Sequence, residues 1–461
     1  LATTMNKILA TSLLLGASAK IETQTRKNGK VVSVSLDEDV VDPPICDVDV
    51  TSRAGYFDLN GSTVNDGSKN YFFWMFESHN EPDTDPVVLW LTGGPGCAST
   101  LALVTENGPC KVSEDGQSTV SNPYGWNNNA TVIWLDQPSG VGYSYGEEND
   151  NNEDMVGEDA YFFLQSFFNA YPQYAASPFY VFGESFGGHY APGIAHTIFE
   201  KNNELKQSNR ATENVVINLA GVGIGNGLTD PVTQYSAYPA MAMNNSYDIK
   251  TVSDETYTEM VEKLPQCLAL AEKCQTNAAA CSSAYYACSI WELSPYEATG
   301  LNVYDIRIPC EVPGLCYNFT NTEIFFNLPS TLESLHVRTD DSAEWTECNY
   351  DVNGDFSKDF MVGYEGYVHD LLEGGIPVMI YAGDADYVCN WIGNKAWTMA
   401  LDWTGHDAFN NAEDINWNDM GMVRSANGFT FLQVYGAGHL VPMDQPIAAL
   451  TLLNTFTAGG F

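Results

Sequence analysis

The residues with the clearest chemical potential are Gly183-Glu184-Ser185-Phe186-Gly187. They follow Phe179–Phe182, a short aromatic and β-branched run that fits a buried strand. They precede His189–Glu200, which can wind as a helix with Pro192 in its early turns. Strand, G-x-S-x-G and helix together form the setting of a nucleophile elbow. The two glycines leave room where side chains would collide, and the strained turn pushes the serine hydroxyl out of the sheet. A plain glycine turn is the bland alternative.

A serine nucleophile needs a base, and the base needs an orienting acid. Only seven histidines are available. His439 follows the apolar run Phe429–Tyr435 through Gly436-Ala437-Gly438, a loop that can bring an imidazole over a sheet edge. The run Ile376–Ala382 leads into Gly383-Asp384-Ala385-Asp386, so both acids are candidates for the orienting role. Such a D-x-D could otherwise cap a helix or bind metal. His189 lies four residues past the serine and reads as a packing or hydrogen-bonding residue. An oxyanion hole needs the amide after the nucleophile, that of Phe186, and an amide from an early post-strand loop. Gly93-Gly94, after Val87–Thr92, is that loop, and it lacks the Lys-Ser/Thr of a phosphate-binding loop. Glu184 adjoins the serine. If a second acid such as Glu106 packs against it, the two carboxyls share a proton in mild acid and can hydrogen-bond a substrate carboxylate.

The elements that must position these groups are strands alternating with helices, which predicts a mostly parallel central sheet with helices on both faces. Strands are expected at 54–59, 71–77, 87–92, 131–135, 215–223, 376–382 and 429–435, and a helix at 157–171. The character changes at 229–350, where cysteines cluster and the apolar runs stop. This segment reads as a disulfide-rich insertion, or cap, between core parts 45–228 and 351–461. Pro265 should kink or restart a helix over 260–273.

The chain has 461 residues and 44% hydrophobic content, enough for a large core. A net charge of −40 repels nucleic acid and anionic membranes and suits work in acid. Residues 1–19 read as a signal peptide, with Lys7, the apolar run Ile8–Leu15 and the Ala17-Ser18-Ala19 cleavage pattern. Residues 20–44 are polar and read as a propeptide or flexible arm. No later stretch is long and apolar enough for a membrane span. Eleven cysteines in an exported chain imply disulfides, with at least one thiol left over or an intermolecular bond. Sequons at Asn60, Asn129, Asn244 and Asn318 are candidate glycan sites.

The motifs Trp90-Leu91-Thr92-Gly93-Gly94-Pro95-Gly96-Cys97, Gly183-Glu184-Ser185-Phe186-Gly187-Gly188, Tyr381–Asp386 and Gly438-His439-Leu440-Val441-Pro442, in one order, resemble those of the serine carboxypeptidases. The resemblance runs from about residue 50 to the end. It implies the α/β-hydrolase fold and release of C-terminal residues from peptides or proteins, with no cofactor or metal. It implies Ser185 as nucleophile, His439 as base and Asp386, three residues before Cys389, as orienting acid. Gly94 and Phe186 would supply the oxyanion amides. Trp90, Thr92, Glu106 and Glu184 would bind the C-terminal carboxylate. The family carries Asn where this chain has Thr92, and a hydroxyl reaches less far than an amide. The family pairing is Cys97–Cys348, Cys267–Cys288, Cys274–Cys281 and Cys310–Cys316, with Cys389 free. By counting, Cys46 and Cys110 remain to pair with each other. The resemblance places the protein in the secretory pathway, a vacuole-like compartment or the extracellular space, as a monomer or homodimer. A different hydrolase on the same scaffold, or a non-catalytic secreted binding protein, are the other readings.

Overall fold

The computed structural model describes residues 20–25, 31–46, 49–61, 68–148, 150–208, 214–339 and 344–461. The expected signal peptide lies outside them. One large mixed sheet organises the chain. Its middle is six parallel strands, in the spatial order Thr131–Leu135, Val87–Leu91, Phe179–Glu184, Leu219–Gly225, Val378–Gly383 and Phe429–Val434. Antiparallel strands extend both sides. The parallel strands are continuous apolar runs because helices cover both faces, and every residue of Val87–Leu91, Phe179–Glu184 and Val378–Gly383 is buried. The helices Glu153–Ala170 and Gly187–Ser208 pack on each other. From Val87–Leu91 the chain moves first to one neighbour, Thr131–Leu135, and then to the other, Phe179–Glu184. That reversal opens a crevice at the carboxyl ends of the strands. The architecture is the α/β-hydrolase fold.

The stretch read as a propeptide or flexible arm supplies two strands, Lys20–Thr25 and Val31–Val41, and the second pairs with Ser52–Asn60 in the main sheet. Its sequence alternates Ser33-Val34-Ser35-Leu36, and Val34 and Leu36 are buried in the core. The period of two outweighs the polar composition. The helix over Pro265 is not restarted: one helix runs Asp254–Cys274. Pro265 is exposed, so the carbonyl it leaves without a partner can face water. Bonds Cys267–Cys288 and Cys274–Cys281 tie the same helix to the next one, Cys281–Cys288.

Among the described residues between Leu219–Gly225 and Val378–Gly383, none adds a strand to the main sheet. The chain is helical there, with a two-stranded hairpin and the bond Cys310–Cys316. Cys46–Cys110 and Cys97–Cys348 tie together segments 64 and 251 residues apart. Cys389 is free and buried. Asn60, Asn244 and Asn318 are exposed and Asn129 is half-buried. Among the described residues no helix is long and apolar enough to cross a membrane.

Candidate active site

Ser185 sits where Phe179–Glu184 ends and Gly187–Ser208 begins, with φ +62°. That left-handed conformation is costly for a non-glycine residue and persists only when its surroundings fix it. They do: the Ser185 amide donates to the Gly225 carbonyl at 3.1 Å, and its own carbonyl accepts from the amides of Gly188 and Leu228 at 2.9 and 3.0 Å. Gly183 has no room for a side chain, since a Cβ there would lie 2.4 Å from the Gly187 carbonyl oxygen.

His439 is buried at the end of the glycine loop, its amide donating to the Tyr304 carbonyl at 2.8 Å. Its Nδ1 lies 2.8 Å from Asp386 Oδ2. That commits Nδ1 and leaves Nε2 for chemistry. Asp386 also accepts from Asn226 Nδ2 at 2.8 Å and from the amides of Val388 and Cys389 at 3.1 and 3.2 Å. The two acids of the D-x-D touch different groups. Asp384 instead accepts from the Tyr247 hydroxyl and the Gly436 amide, so it ties together the loops around the histidine.

Two positioning residues were not singled out from the sequence. Asn226 holds Asp386 with its Nδ2 and accepts the Gly383 amide on its Oδ1, at 3.0 Å. Tyr304 sets the backbone of His439 and packs its ring 4.9 Å from the imidazole. The only signal for Asn226 was its place in Gly225-Asn226-Gly227 after a strand. Nothing in the sequence marks Tyr304. His189 is a packing residue: it is buried, bonded to the Leu228 carbonyl and stacked on Phe186 at 4.2 Å.

Ser185 and His439 line one cavity of about 160 Å³, together with Thr92, Gly94, Glu106 and Glu184. Among the described residues neither the Gly94 nor the Phe186 amide donates a hydrogen bond within the protein. Gly93 faces the elbow closely enough that a Cβ on it would lie 2.3 Å from Phe186 N and 2.9 Å from Ser185 Cβ. Trp90 is fully buried, and its Nε1 donates to Thr92 Oγ1 at 3.1 Å. The Thr92 hydroxyl therefore keeps one proton to give to the cavity.

Glu106 caps the helix Ser99–Thr105 and shares a hydrogen bond with Glu184. Both are buried, and each keeps one Oε2 with no partner. Burial pushes Glu106 up to about 7, against the Glu184 hydrogen bond and the His439 charge. Burial, and after it the charge of Glu106, pushes Glu184 well above the ordinary carboxyl range. Glu184 is the member that keeps its proton longer.

The set Asp386, Cys389 and His439 offers ligand atoms within 4.8 Å of one another, the spacing of a metal site. The donor chemistry fits a cation poorly. Asp386 Oδ2 already receives three N–H groups, and burial pushes the Cys389 thiol well above 9, which disfavours the thiolate a metal needs.

The likeness to known proteins covers nearly all of the chain. A serine carboxypeptidase family model matches residues 43–459. Carboxypeptidase Y of Candida albicans is 40% identical over 456 residues, covering 94% of this chain and 81% of that protein. Carboxypeptidase Y of Saccharomyces cerevisiae is 40% identical over 438 residues, covering 92% of this chain and 79% of that one. A prohormone-processing carboxypeptidase from Saccharomyces cerevisiae has a solved structure similar to this one, with a TM-score of 0.78 and 26% identity over 89% of this chain and 92% of that chain. With that match spanning both the elbow and the histidine loop, the chain belongs to the serine carboxypeptidase family.

Proposed function

We propose that this protein releases C-terminal amino acids from peptides and proteins by a Ser185–His439–Asp386 mechanism, working best in acid. The Ser185 hydroxyl attacks the carbonyl carbon of the last peptide bond, and its proton passes to His439 Nε2. The resulting oxyanion accepts from the amides of Gly94 and Phe186. His439 then gives the proton to the leaving amine, which departs as the free C-terminal residue. Water repeats the sequence on the acyl-enzyme and restores Ser185. Asp386 holds the tautomer and stabilises the imidazolium.

The observation that carries this reading is the hydrogen-bonded Glu106–Glu184 pair in the wall of the cavity that Ser185 and His439 share. A pair holding at least one proton donates a hydrogen bond to a carboxylate. Once both ionise, it repels one. Exopeptidase behaviour and acid preference then have one cause. Trp90, through its bond to Thr92, and the remaining proton of the Thr92 hydroxyl complete the carboxylate site.

The test compares a blocked dipeptide with a free C-terminus and its C-terminal amide at several pH values. For the free acid, KM is expected to rise only when Glu184, the later of the two to ionise, gives up the pair's last proton, and Glu106→Gln to change that profile while the amide responds little. Equal profiles for wild type and Glu106→Gln would remove the carboxylate role. Gly93→Ala tests the close contact between the Gly93-Gly94 loop and the elbow, where the added methyl group meets both the Phe186 amide and Ser185. A methyl group 2.3 Å from Phe186 N displaces that amide, and kcat should fall roughly a hundred-fold with an unchanged circular dichroism spectrum. A kcat within a few-fold of wild type would argue against the Phe186 amide.

Five disulfides need an oxidising route, which supports passage through the secretory pathway to an acidic vacuole-like compartment or the exterior. Exposed Asn60, Asn244 and Asn318, with half-buried Asn129, are the residues to carry glycans.

A further inference from the structure

The strand Leu219–Gly225 leads into the turn Asn226-Gly227-Leu228, which lies against the first residues of the elbow helix Gly187–Ser208. A Cβ on Gly188 would be 2.5 Å from the Leu228 carbonyl oxygen, so the approach is tight. Both ends of this turn serve the site. Asn226 holds Asp386 with its Nδ2 at 2.8 Å. The Leu228 amide donates to the Ser185 carbonyl at 3.0 Å, and so helps keep the serine in its left-handed conformation. A turn flanked by Gly225 and carrying Gly227 has wide conformational freedom of its own, so its place must be fixed by ties to other groups.

His189 supplies the tie at Leu228. Its side chain is fully buried, and Nδ1 lies 2.5 Å from the Leu228 carbonyl oxygen. A carbonyl only accepts, so the proton of the ring sits on Nδ1. Nε2 lies 3.3 Å from the Asp359 carbonyl. Phe186 and Tyr364 flank the imidazole, with ring centroids 4.2 and 4.8 Å away. Burial depresses the group to about 4, so above that pH it is neutral and its single proton is spent on Leu228. Filling space is only part of what this side chain does, since a phenyl or alkyl group fills space without donating. Thr229 Oγ1 and Gln234 Nε2 make the neighbouring ties, to the carbonyls of Gly188 and Gly227 at 3.0 and 2.7 Å.

We propose that His189 is a positioning residue for the triad: its Nδ1–H holds the Leu228 peptide, and through it the turn that braces Ser185 at one end and Asp386 at the other. The inference rests on the triad mechanism above, and His189 itself touches neither substrate nor reacting atoms. Loss of the bond lets the turn relax, and the serine hydroxyl and the imidazole of His439 drift out of register. A misplacement of about 1 Å in such an alignment costs up to about a hundred-fold in rate. Trp90 and Glu106 stand on other elements, so carboxylate binding is spared.

The experiment measures kcat and KM for a blocked dipeptide acid, and the rate of fluorophosphonate labelling, in wild type, His189→Phe, His189→Leu and His189→Asn, with kcat referred to labelled sites. Phenylalanine keeps a ring but cannot donate. Leucine and asparagine match in shape and differ in the donor, and the asparagine amide stands near the place of Nδ1. For His189→Phe and His189→Leu, kcat and the labelling rate are expected to fall together by roughly thirty-fold, with KM within about two-fold of wild type. His189→Asn should recover most of that loss. If His189→Phe does not fold, the shape-matched pair decides the question without it. Equal losses in His189→Leu and His189→Asn would overturn the inference, because the effect then belongs to packing. So would a kcat per labelled site in His189→Leu within a few-fold of wild type. Either result leaves the triad standing, whereas a wild type that neither labels nor releases C-terminal residues overturns both.

Discussion

Replacing Ser185 by alanine is expected to lower kcat roughly ten-thousand-fold or more while leaving KM and the fold nearly unchanged. Three residues acting as a unit also predict non-additivity. Ser185→Ala combined with His439→Ala should be hardly worse than either alone, because the base has nothing left to activate. Asp386→Asn is the more discriminating change. The carboxylate accepts from His439, Asn226 and two backbone amides. An amide group at that position turns one acceptor into a donor facing donors, and it drives the imidazole toward the tautomer that carries its proton on Nε2. That form cannot accept from Ser185, so a loss on the order of 10⁴ is expected. Single-turnover acylation by an activated ester, followed across these variants, reads the effect. Labelling by a fluorophosphonate should vanish in Ser185→Ala. Turnover above about one part in a hundred in Ser185→Ala, or additive losses in the double variant, would end the triad account.

The protein should also lose stability steeply between pH 4.5 and 7.5. Burial raises Asp136, Asp359 and Glu106 to about 7 and Glu292 to about 8, and it raises Glu153 and Glu184 well above the ordinary range. Both oxygens of Glu153 and of Glu292 lack partners. In the unfolded chain these acids ionise near pH 4, and in the fold they stay neutral. Their contribution is therefore complete below pH 4 and lost as pH rises through the folded values. Each such group costs about 1.4 kcal/mol for every pH unit spent between its two ionisations. His189 works the other way. Burial depresses it to about 4, so it destabilises the fold as pH falls from 6.5 toward 4. Six carboxyls outweigh one imidazole, so maximal stability falls in mild acid. Urea unfolding midpoints at pH 4.5, 6 and 7.5 should descend in that order, and Glu153→Gln should flatten the slope by about one proton. A midpoint that rises toward neutral pH would contradict the account.

Much of this could be seen in the residue order. Continuous apolar runs such as Thr131–Leu135 have no alternative once both faces are covered, and that strand begins and ends where the sequence placed it. The glycines around Ser185 report sterics, and sterics are local. What escaped the sequence depends on distant partners. Period-two alternation at 33–36 was hidden within a polar composition, and only its pairing with Ser52–Asn60 shows it as a strand. The helix through Pro265 reflects covalent ties to the next helix. Asn226 and Asp386 are 160 residues apart. No spacing rule connects them, and the carboxyl pair Glu106–Glu184 was a conjecture until both side chains met in one wall.

The bond between Cys97 and Cys348 joins positions 251 residues apart, and both cysteines border the cavity. During synthesis, the first half of the chain emerges from the ribosome with its serine already in place but without the opposite wall, the acid or the imidazole. On the Ser185–His439–Asp386 mechanism proposed above, a growing chain is therefore an inert one. The cell that makes this protein is spared a protease until nearly the whole polypeptide has been delivered and oxidised.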